Sequence, residues 1–346
     1  MESERILGQN HILRHFENAI RMGKISHAYI INGEEGSGKM NLAIHFAKAL
    51  QCERNNSNKA INEDGERITV PGTACGQCKS CKQTDSKNQP DIKYITYEKS
   101  GIGVDEIREQ INDDIDIKPY SSPYKIYIVP ESEKMTVQAQ NALLKTIEEP
   151  PEYAIIILLT TNADTFLQTI LSRCVMLNIR PEKEDIIKNQ LTSQYGVGDY
   201  EARVAATFSN GNPGKAIKLA TSEEFKELKQ YVVGMFMSLE KGGMDIIGEA
   251  IKKTGTFKKQ IDEYFSLMRI WFRDILVYKA TKEEDQIIFQ DEYMTIEKMS
   301  QTYSFDDIND ILKAIDMAES RIKSNVNFDS TIEILLLSIK EKTSGK

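Results

Sequence analysis

The stretch Ala28–Met40, which reads AYIINGEEGSGKM, decides the fold of this chain. Its first residues are an apolar run that predicts a β-strand, and the run ends at Gly33, where a tight turn begins. The next segment, Lys39–Leu50, has apolar residues at helical spacing. Strand, glycine-rich loop and helix in this order are the context of a phosphate-binding loop, and the frame Gly-x-x-x-x-Gly-Lys is present at Gly33–Lys39.

The loop lacks the residue that normally holds its metal ion. The glycines Gly33, Gly36 and Gly38 would let backbone N–H groups surround a phosphate, and Lys39 would reach the outer phosphates. Met40 stands where a Ser or Thr hydroxyl normally binds Mg²⁺, and a thioether is a poor ligand for a hard cation. The sequence therefore predicts a degenerate nucleotide site. It leaves open whether ATP and Mg²⁺ bind there.

The acidic element of a nucleotidase is altered as well. The predicted strand Lys125–Val129 ends at Pro130, where an aspartate would hold Mg²⁺. Glu131 and Glu133 follow. We interpret them as exposed charges at the start of a helix; the alternative is that they serve the metal or the attacking water.

Three of the five cysteines, Cys75, Cys78 and Cys81, form the pattern C-x-x-C-x-x-C. Thiolates at this spacing converge on one Zn²⁺, and Cys52 is the candidate fourth ligand. Four sulfur ligands leave no open coordination position, so the predicted site is structural. The alternative is a group of free thiols beside a loop.

Strand and helix signals alternate up to about residue 180, which predicts an α/β fold with a parallel sheet, and helical patterns dominate afterwards. We expect three domains: a P-loop domain at 1–180, a small helical domain at 181–221 and an all-α domain at 222–346. The first would contain an inserted zinc module at about 52–86. Within it, the polar stretch 53–74 predicts an exposed loop.

Composition narrows the class of protein. A chain of 346 residues can form two or three domains, and its net charge of −8 argues against strong nucleic-acid binding by the chain alone. The first fifteen residues contain no apolar core of a secretion signal. The longest strongly apolar run, Ala154–Leu159, is far shorter than the roughly 20 residues that a helix needs to cross a membrane. We therefore expect a cytoplasmic protein without a membrane partner.

Arg173 lies in the run Leu171–Cys174, LSRC, just after the last predicted strand. At this position an arginine can act in trans on a nucleotide held by a neighbouring subunit. The alternative is an ordinary surface charge.

The stretches Asn141–Asn162, NALLKTIEEPPEYAIIILLTTN, and Thr169–Cys174, TILSRC, have a familiar pattern. Together with ILGQN and ISHAYIINGEEGSGK, they make the chain resemble the AAA+ clamp-loader subunits of bacterial DNA polymerase III, from about Ile6 to Ala220. The resemblance implies an AAA+ P-loop domain, a helical lid, and a collar that joins sister subunits in a ring or spiral. Thr161 and Asn162 match the family's sensor region.

The same resemblance implies a role, because the family contains ATPase motors, gamma and tau, and a stator with a degraded site. Its P-loop hydroxyl is Met40 here, its Walker B aspartate is Pro130, and its lid arginine is Gly214 in the run 211–216, GNPGKA, where the alternative is that Lys215 partly substitutes for the arginine. These losses favour the stator, with Arg173 offered to a neighbouring ATPase. The implied partners are gamma/tau and delta subunits and, through the complex, the sliding clamp and primer–template DNA.

Two other functions remain open at this point. An active gamma/tau-type motor would hydrolyse ATP as an isolated chain, which Met40 and Pro130 disfavour. A zinc-dependent DNA-binding protein with a relic P-loop would bind DNA alone in a salt-sensitive way, which the net charge of −8 disfavours.

Overall fold

The computed structural model describes residues 9–56, 71–98, 101–241 and 245–344. These residues form two compact units. The first comprises the described residues up to Ile186 together with Gly211–Lys215, and the second comprises Ile187–Asn210 and the described residues from Ala216 onward. The three-domain division drawn from the sequence stays a prediction, and residues 57–70 of its zinc module lie outside the described residues.

A five-stranded parallel sheet forms the centre of the first unit, as the sequence predicts, with the strand order β2-β3-β4-β1-β5. The strand bounds are β1 Ala28–Asn32, β2 Ile92–Tyr94, β3 Lys125–Val129, β4 Ala154–Thr160 and β5 Val175–Asn178. Every residue of β4 is buried, which confirms the central position expected for this apolar run. The sequence analysis did not identify β5, a short strand at the sheet edge.

Helices cover both faces of this sheet. Their bounds are α1 Asn10–Met22, α2 Lys39–Leu50, α3 Glu53–Asn56, α4 Lys79–Asp85, α5 Val104–Ile107, α6 Asp113–Ile115, α7 Val137–Glu148 and α8 Gln168–Leu171. The sequence predicts one helix over residues 104–115. The structure has a π-helical turn, Arg108–Asn112, between α5 and α6.

The two faces of the sheet carry separate apolar cores because side chains alternate along each strand. In β4, Ile155, Ile157 and Leu159 join the core under α1 and α2. Their neighbours Ala154, Ile156 and Leu158 join the core with residues of α5, α7 and α8. On the first face Phe16 of α1 stacks on Phe46 of α2, with ring centroids 4.0 Å apart.

An ionic cluster ties α6 to the strands. The carboxylate of Asp114 lies 2.7 Å from Lys93 Nζ on β2 and 2.8 Å from Lys125 Nζ on β3. It also accepts a 2.8 Å hydrogen bond from the hydroxyl of Tyr127. Lys125 is buried, so this carboxylate neutralises a charge that water cannot solvate.

The described residues of the second unit form helices and the turns and loops that join them. The bounds are α9 Glu184–Tyr195, α10 Asp199–Phe208, α11 Pro213–Thr221, α12 Glu223–Lys241, α13 Asp245–Thr256, α14 Ile261–Thr281, α15 Tyr293–Thr302, α16 Phe305–Lys323 and α17 Phe328–Ser344; the first residues of α9 and α11 fall in the first unit. The buried Trp271 of α14 lies in its core. In the described ranges, none of the helices combines the length and apolarity that crossing a bilayer requires.

The parallel arrangement brings the carboxyl ends of the strands to one edge of the sheet. Asn32 at the end of β1 is paired with Thr160 at the end of β4, and Val129 at the end of β3 is paired with Leu158. The loops that follow these strands carry the predicted phosphate loop, the Pro130 segment and the Thr161 segment. The fold therefore gathers these three parts of the sequence at one site.

Candidate functional site

The phosphate-loop frame adopts the backbone that its glycines permit. Gly36 and Gly38 have φ angles of +77° and +89°, a region that side chains disfavour. Gly33 has a different reason: a Cβ there would lie 2.8 Å from Ser37 Oγ and 2.9 Å from the Cβ of Ile179. Helix α2 begins directly after this loop, as in a phosphate-binding loop.

The loop lysine is turned onto the loop itself. Lys39 Nζ donates hydrogen bonds to the carbonyl oxygens of Gly33 at 2.6 Å and Glu34 at 2.8 Å. Burial lowers the pKa of Lys39, while the carboxylates of Glu133 and Glu35, and that of Glu34, act in the opposite direction. A polyphosphate that binds in this loop therefore has to displace the two carbonyl contacts of Lys39.

Met40 contributes to the core. Its side chain is half-buried and packs against the apolar cluster beneath α1 and α2. A Ser or Thr at this position would present a hydroxyl oxygen for Mg²⁺. Met40 instead offers apolar surface and a sulfur atom, so the loop lacks an oxygen ligand at this residue.

The segment Gly211–Lys215 lies against the phosphate loop within the first unit. The Asn212 side chain donates a 2.7 Å hydrogen bond to the carbonyl oxygen of Glu35, and the Gly214 N–H donates at 3.2 Å to that of Gly36. A Cβ on Gly214 would lie 3.0 Å from the carbonyl carbon of Gly36 and closer still to its oxygen. Any side chain at position 214 therefore requires this segment to move.

The two carboxylates after β3 both have defined partners; Glu131 is exposed and Glu133 is half-buried. Glu133 accepts hydrogen bonds from the hydroxyl of Thr161 at 2.8 Å and from its N–H at 3.3 Å. Glu131 lies 2.7 Å from Lys134 Nζ and accepts a hydrogen bond from the hydroxyl of Tyr97. These hydrogen bonds, that of Lys134 first, lower the pKa of Glu131, whose side chain is about half exposed at 53%.

The four predicted zinc ligands are brought together. The sulfur atoms of Cys52, Cys75, Cys78 and Cys81 all lie within 4.8 Å of one another, and those of Cys75 and Cys81 are 4.0 Å apart. Tetrahedral zinc with Zn–S bonds of about 2.3 Å requires sulfurs about 3.8 Å apart. The cluster could therefore hold a metal ion with little rearrangement.

Backbone N–H groups point at these sulfurs. The N–H of Cys75 donates to the sulfur of Cys52, that of Cys78 to Cys75, and that of Cys81 to Cys78, at 3.3–3.4 Å. Hydrogen bonds from the amides of Gln77 and Cys78 lower the pKa of Cys75 to about 6, whereas burial raises the pKa of Cys81. Amide donors stabilise thiolates, which are the metal-binding form of cysteine.

A side chain on the short helix α3 brings Cys52 close to the other cysteines. Asn55 donates hydrogen bonds to the carbonyl oxygens of Ala49 and Thr73, at 2.9 and 3.1 Å, and accepts one from the N–H of Gly72. These bonds join the end of α2 to the segment that leads into Cys75. The separation of Cys52 from the other three cysteines in sequence is thereby closed in space.

Arg173 follows α8 and is bound to its own subunit. Its Nη2 lies 2.9 Å from Glu148 Oε1, and its Nη1 donates to the carbonyl oxygen of Thr169 at 3.1 Å and to Ser172 Oγ at 3.3 Å. The sequence singled out Arg173 but gave no sign of Glu148 as its partner. The contact of Asn212 with Glu35 was likewise missed, because no local pattern links residues so far apart in the chain.

Two profiles of DNA polymerase III subunits match parts of this chain. The profile of the family described as DNA polymerase III, delta subunit matches residues 8–183, just over half of the chain. The profile described as DNA polymerase III, delta subunit, C terminal matches residues 248–341.

Individual relatives also carry the names of DNA polymerase III subunits. DNA polymerase III subunit delta' of Bacillus subtilis is 26% identical over 96% of this chain and 96% of its own length. Subunit tau of the same organism is 34% identical over 62% of this chain and 36% of its own length. A solved structure of a gamma-subunit-related protein of DNA polymerase III from Thermotoga maritima aligns with 96% of this chain and 99% of that one, at 21% identity and a TM-score of 0.42. The resemblance stated from the sequence is confirmed, and the chain belongs to the family of DNA polymerase III delta subunits.

Proposed function

We propose that the chain is a non-hydrolysing stator of the delta-prime type in a cytoplasmic clamp loader. It would stand beside gamma/tau and delta subunits and support the ATP-dependent loading of a sliding clamp onto primer–template DNA. The full-length similarity to a subunit named delta' supports this role. This proposal rests chiefly on Met40, a half-buried side chain that packs against the apolar core at the position of the magnesium ligand.

Three features of the site argue against ATP hydrolysis by this chain. Residue 40 has no hydroxyl, and Pro130 has no carboxylate to hold Mg²⁺. Gly214 supplies no guanidinium at the lid position, and its backbone lies against Gly36, where a side chain does not fit. A metal ion and a transferring phosphoryl group would both lack their usual partners.

Arg173 is the residue that we assign to the reaction. It would reach the nucleotide of an adjacent gamma or tau subunit and stabilise the negative charge of the transferring phosphoryl group. A subunit that cannot hydrolyse ATP but retains this arginine can still control hydrolysis by its neighbour.

The cysteine cluster is assigned a structural Zn²⁺, held by Cys52, Cys75, Cys78 and Cys81. When bound, the ion supplies a cross-link that fixes four thiolates in one place. The protein's part is to present the sulfurs and to stabilise their charge with backbone N–H groups. This role is mechanical and requires no open coordination position.

The test uses the reconstituted complex of this chain with its gamma/tau and delta partners. We expect Arg173→Ala to assemble normally and to slow DNA-stimulated ATP turnover. An arginine finger increases the rate of hydrolysis by about 10³- to 10⁵-fold in small GTPases. We expect a smaller loss of rate here because the other ATPase sites of the complex continue to hydrolyse ATP. Arg14→Ala, at an exposed arginine of α1, is the matched control and should leave turnover unchanged. Unchanged turnover in Arg173→Ala would refute the assignment.

An assay of the isolated chain distinguishes this role from that of an active motor. The 34% identity to subunit tau is the observation that favours the motor. We expect no motor-like ATP turnover by the purified chain. Turnover that Lys39→Ala abolishes would identify a motor instead. Salt-sensitive binding of DNA by the chain alone would favour the zinc-dependent DNA-binding alternative.

A further inference from the structure

The guanidinium of Arg173 is folded back along its own chain. Nη1 is bound to the carbonyl oxygen of Thr169, four residues earlier, and to the hydroxyl of Ser172. Nη2 is bound to the carboxylate of Glu148 at 2.9 Å. An arginine that acts on another subunit has to extend away from its own, so these contacts compete with that role.

Both ends of this ion pair are attached to well-packed elements. Glu148 is the last residue of α7, whose Leu143 and Ile147 are buried in the core beneath the sheet. Arg173 lies two residues after α8, which is anchored by the fully buried Ile170. The backbone of each residue is therefore held in place, and the carboxylate stays within reach of Arg173.

The pair is weak enough to be displaced. The side chains of Arg173 and Glu148 are 41% and 44% exposed, so water screens their attraction. An exposed ion pair of this kind changes the ratio of paired to unpaired side chains by about 1.4- to 5-fold. The phosphate of a bound nucleotide offers a guanidinium more negative charge and a bidentate partner, so it can take the arginine from the carboxylate.

We propose that Glu148 is a positioning residue that parks Arg173 against its own subunit until a neighbouring nucleotide competes for the guanidinium. The inference rests on the proposed action of Arg173 in trans. It gives the free subunit and the assembled complex two different states of the same arginine. Removing the charge of Glu148 should release the side chain and raise its activity.

The first experiment measures the parked state in the free, full-length chain. Phenylglyoxal modifies arginine side chains, and peptide mass spectrometry gives the rate for each residue. We expect Glu148→Gln to increase the rate at Arg173 by about 1.4- to 5-fold, with the rate at Arg14 unchanged. Glu149→Gln removes the same charge from the next residue and should leave the Arg173 rate unaltered. An unchanged rate in Glu148→Gln overturns the inference.

The second experiment measures ATP turnover by the reconstituted complex. We expect Glu148→Gln to raise the part of turnover that depends on Arg173, by at most about 5-fold. The double variant with Arg173→Ala should match Arg173→Ala alone. An increase that persists in the double variant, or a decrease in Glu148→Gln, overturns the parking role.

The experiments distinguish failure of the proposed function of Arg173 from failure of the inference about Glu148. If Arg173→Ala alone leaves turnover unchanged, the proposed function in trans is wrong, and the regulatory purpose of Glu148 falls with it. If Arg173→Ala slows turnover while Glu148→Gln behaves like the wild type in both experiments, the proposed function stands and only the inference about Glu148 is wrong.

Discussion

Gly214 gives the sharpest structural test of the degenerate nucleotide site. Its N–H donates to the carbonyl oxygen of Gly36, and the neighbouring Asn212 donates to that of Glu35. A Cβ at position 214 would enter the space that the Gly36 carbonyl group occupies. The perturbation is Gly214→Ala, which adds a single methyl group at this contact.

The protein can accommodate the added methyl group in two ways, and both give a similar loss of stability. If the contact is kept, the methyl group is overpacked, which costs about 1–3 kcal/mol. If the segment moves away, two hydrogen bonds are lost at about 0.5–1.5 kcal/mol each. Alanine also lowers the backbone entropy of the unfolded chain, which offsets about 0.5–1 kcal/mol. We expect a net destabilisation of about 1 kcal/mol, with an upper bound of about 2.5 kcal/mol, or a fall in Tm of at most about 10 °C for a domain of this size.

The assay is thermal unfolding followed by two signals. Far-ultraviolet circular dichroism reports on both units, whereas the fluorescence of Trp271, the one tryptophan of the chain, reports on the second unit. Gly248→Ala in α13 is the control, because a Cβ there meets open space, and it should stabilise the second unit by about 0.5–1 kcal/mol. A Gly214→Ala protein that melts above the wild-type temperature would show that Gly214 does not lie against Gly36 in the native protein.

Two further predictions concern the first unit. Burial alone would raise the pKa of Asp114. Hydrogen bonds from Lys125, Lys93 and Tyr127 instead hold this pKa below its ordinary value. The resulting stabilisation is present above the unfolded pKa, near 4, and is lost as the pH falls through the lower folded value. Asp114→Asn should cost about 2–3 kcal/mol in urea unfolding at neutral pH, with the deficit shrinking below about pH 4; the exposed Asp113→Asn should cost little, and equal losses in both would contradict the argument. Cys52→Ala should lose most of the zinc that copurifies with the chain, measured by plasma mass spectrometry, whereas Cys174→Ala, outside the cluster, should retain it; undiminished zinc in Cys52→Ala would exclude Cys52 as a ligand.

Local patterns in the sequence were sufficient for the main elements of the first unit. The strand Ala28–Asn32 and the helix Lys39–Leu50 follow from an apolar run, a glycine loop and helical spacing. The continuous apolar run of β4 indicated a strand buried on both faces, and all its residues are buried. The spacing of Cys75, Cys78 and Cys81 indicated a shared site because three thiolates separated by two residues each can point to one centre.

Elements with weak local signals in the sequence were not predicted. The strand Val175–Asn178 is short and lies at the sheet edge, where only one neighbouring strand buries it. The π turn at Arg108–Asn112 leaves the apolar spacing of the surrounding helix almost unchanged, so periodicity does not reveal it. Both features depend on hydrogen bonds and packing that the order of residue types does not specify.

The sequence by itself determined that this chain has a phosphate-loop fold, that residues 40 and 130 lack oxygen ligands for magnesium, and that three cysteines share a site. These conclusions need only residue chemistry and short spacings. The sequence offered Cys52 as a candidate fourth ligand, and the structure places it in the cluster; only tertiary structure decided that Asn212 and Gly214 lie against the phosphate loop and that Glu148 holds Arg173. Each of these contacts joins residues from different loops or helices, and the order of strands in the sheet and the packing of helices on its faces bring them together.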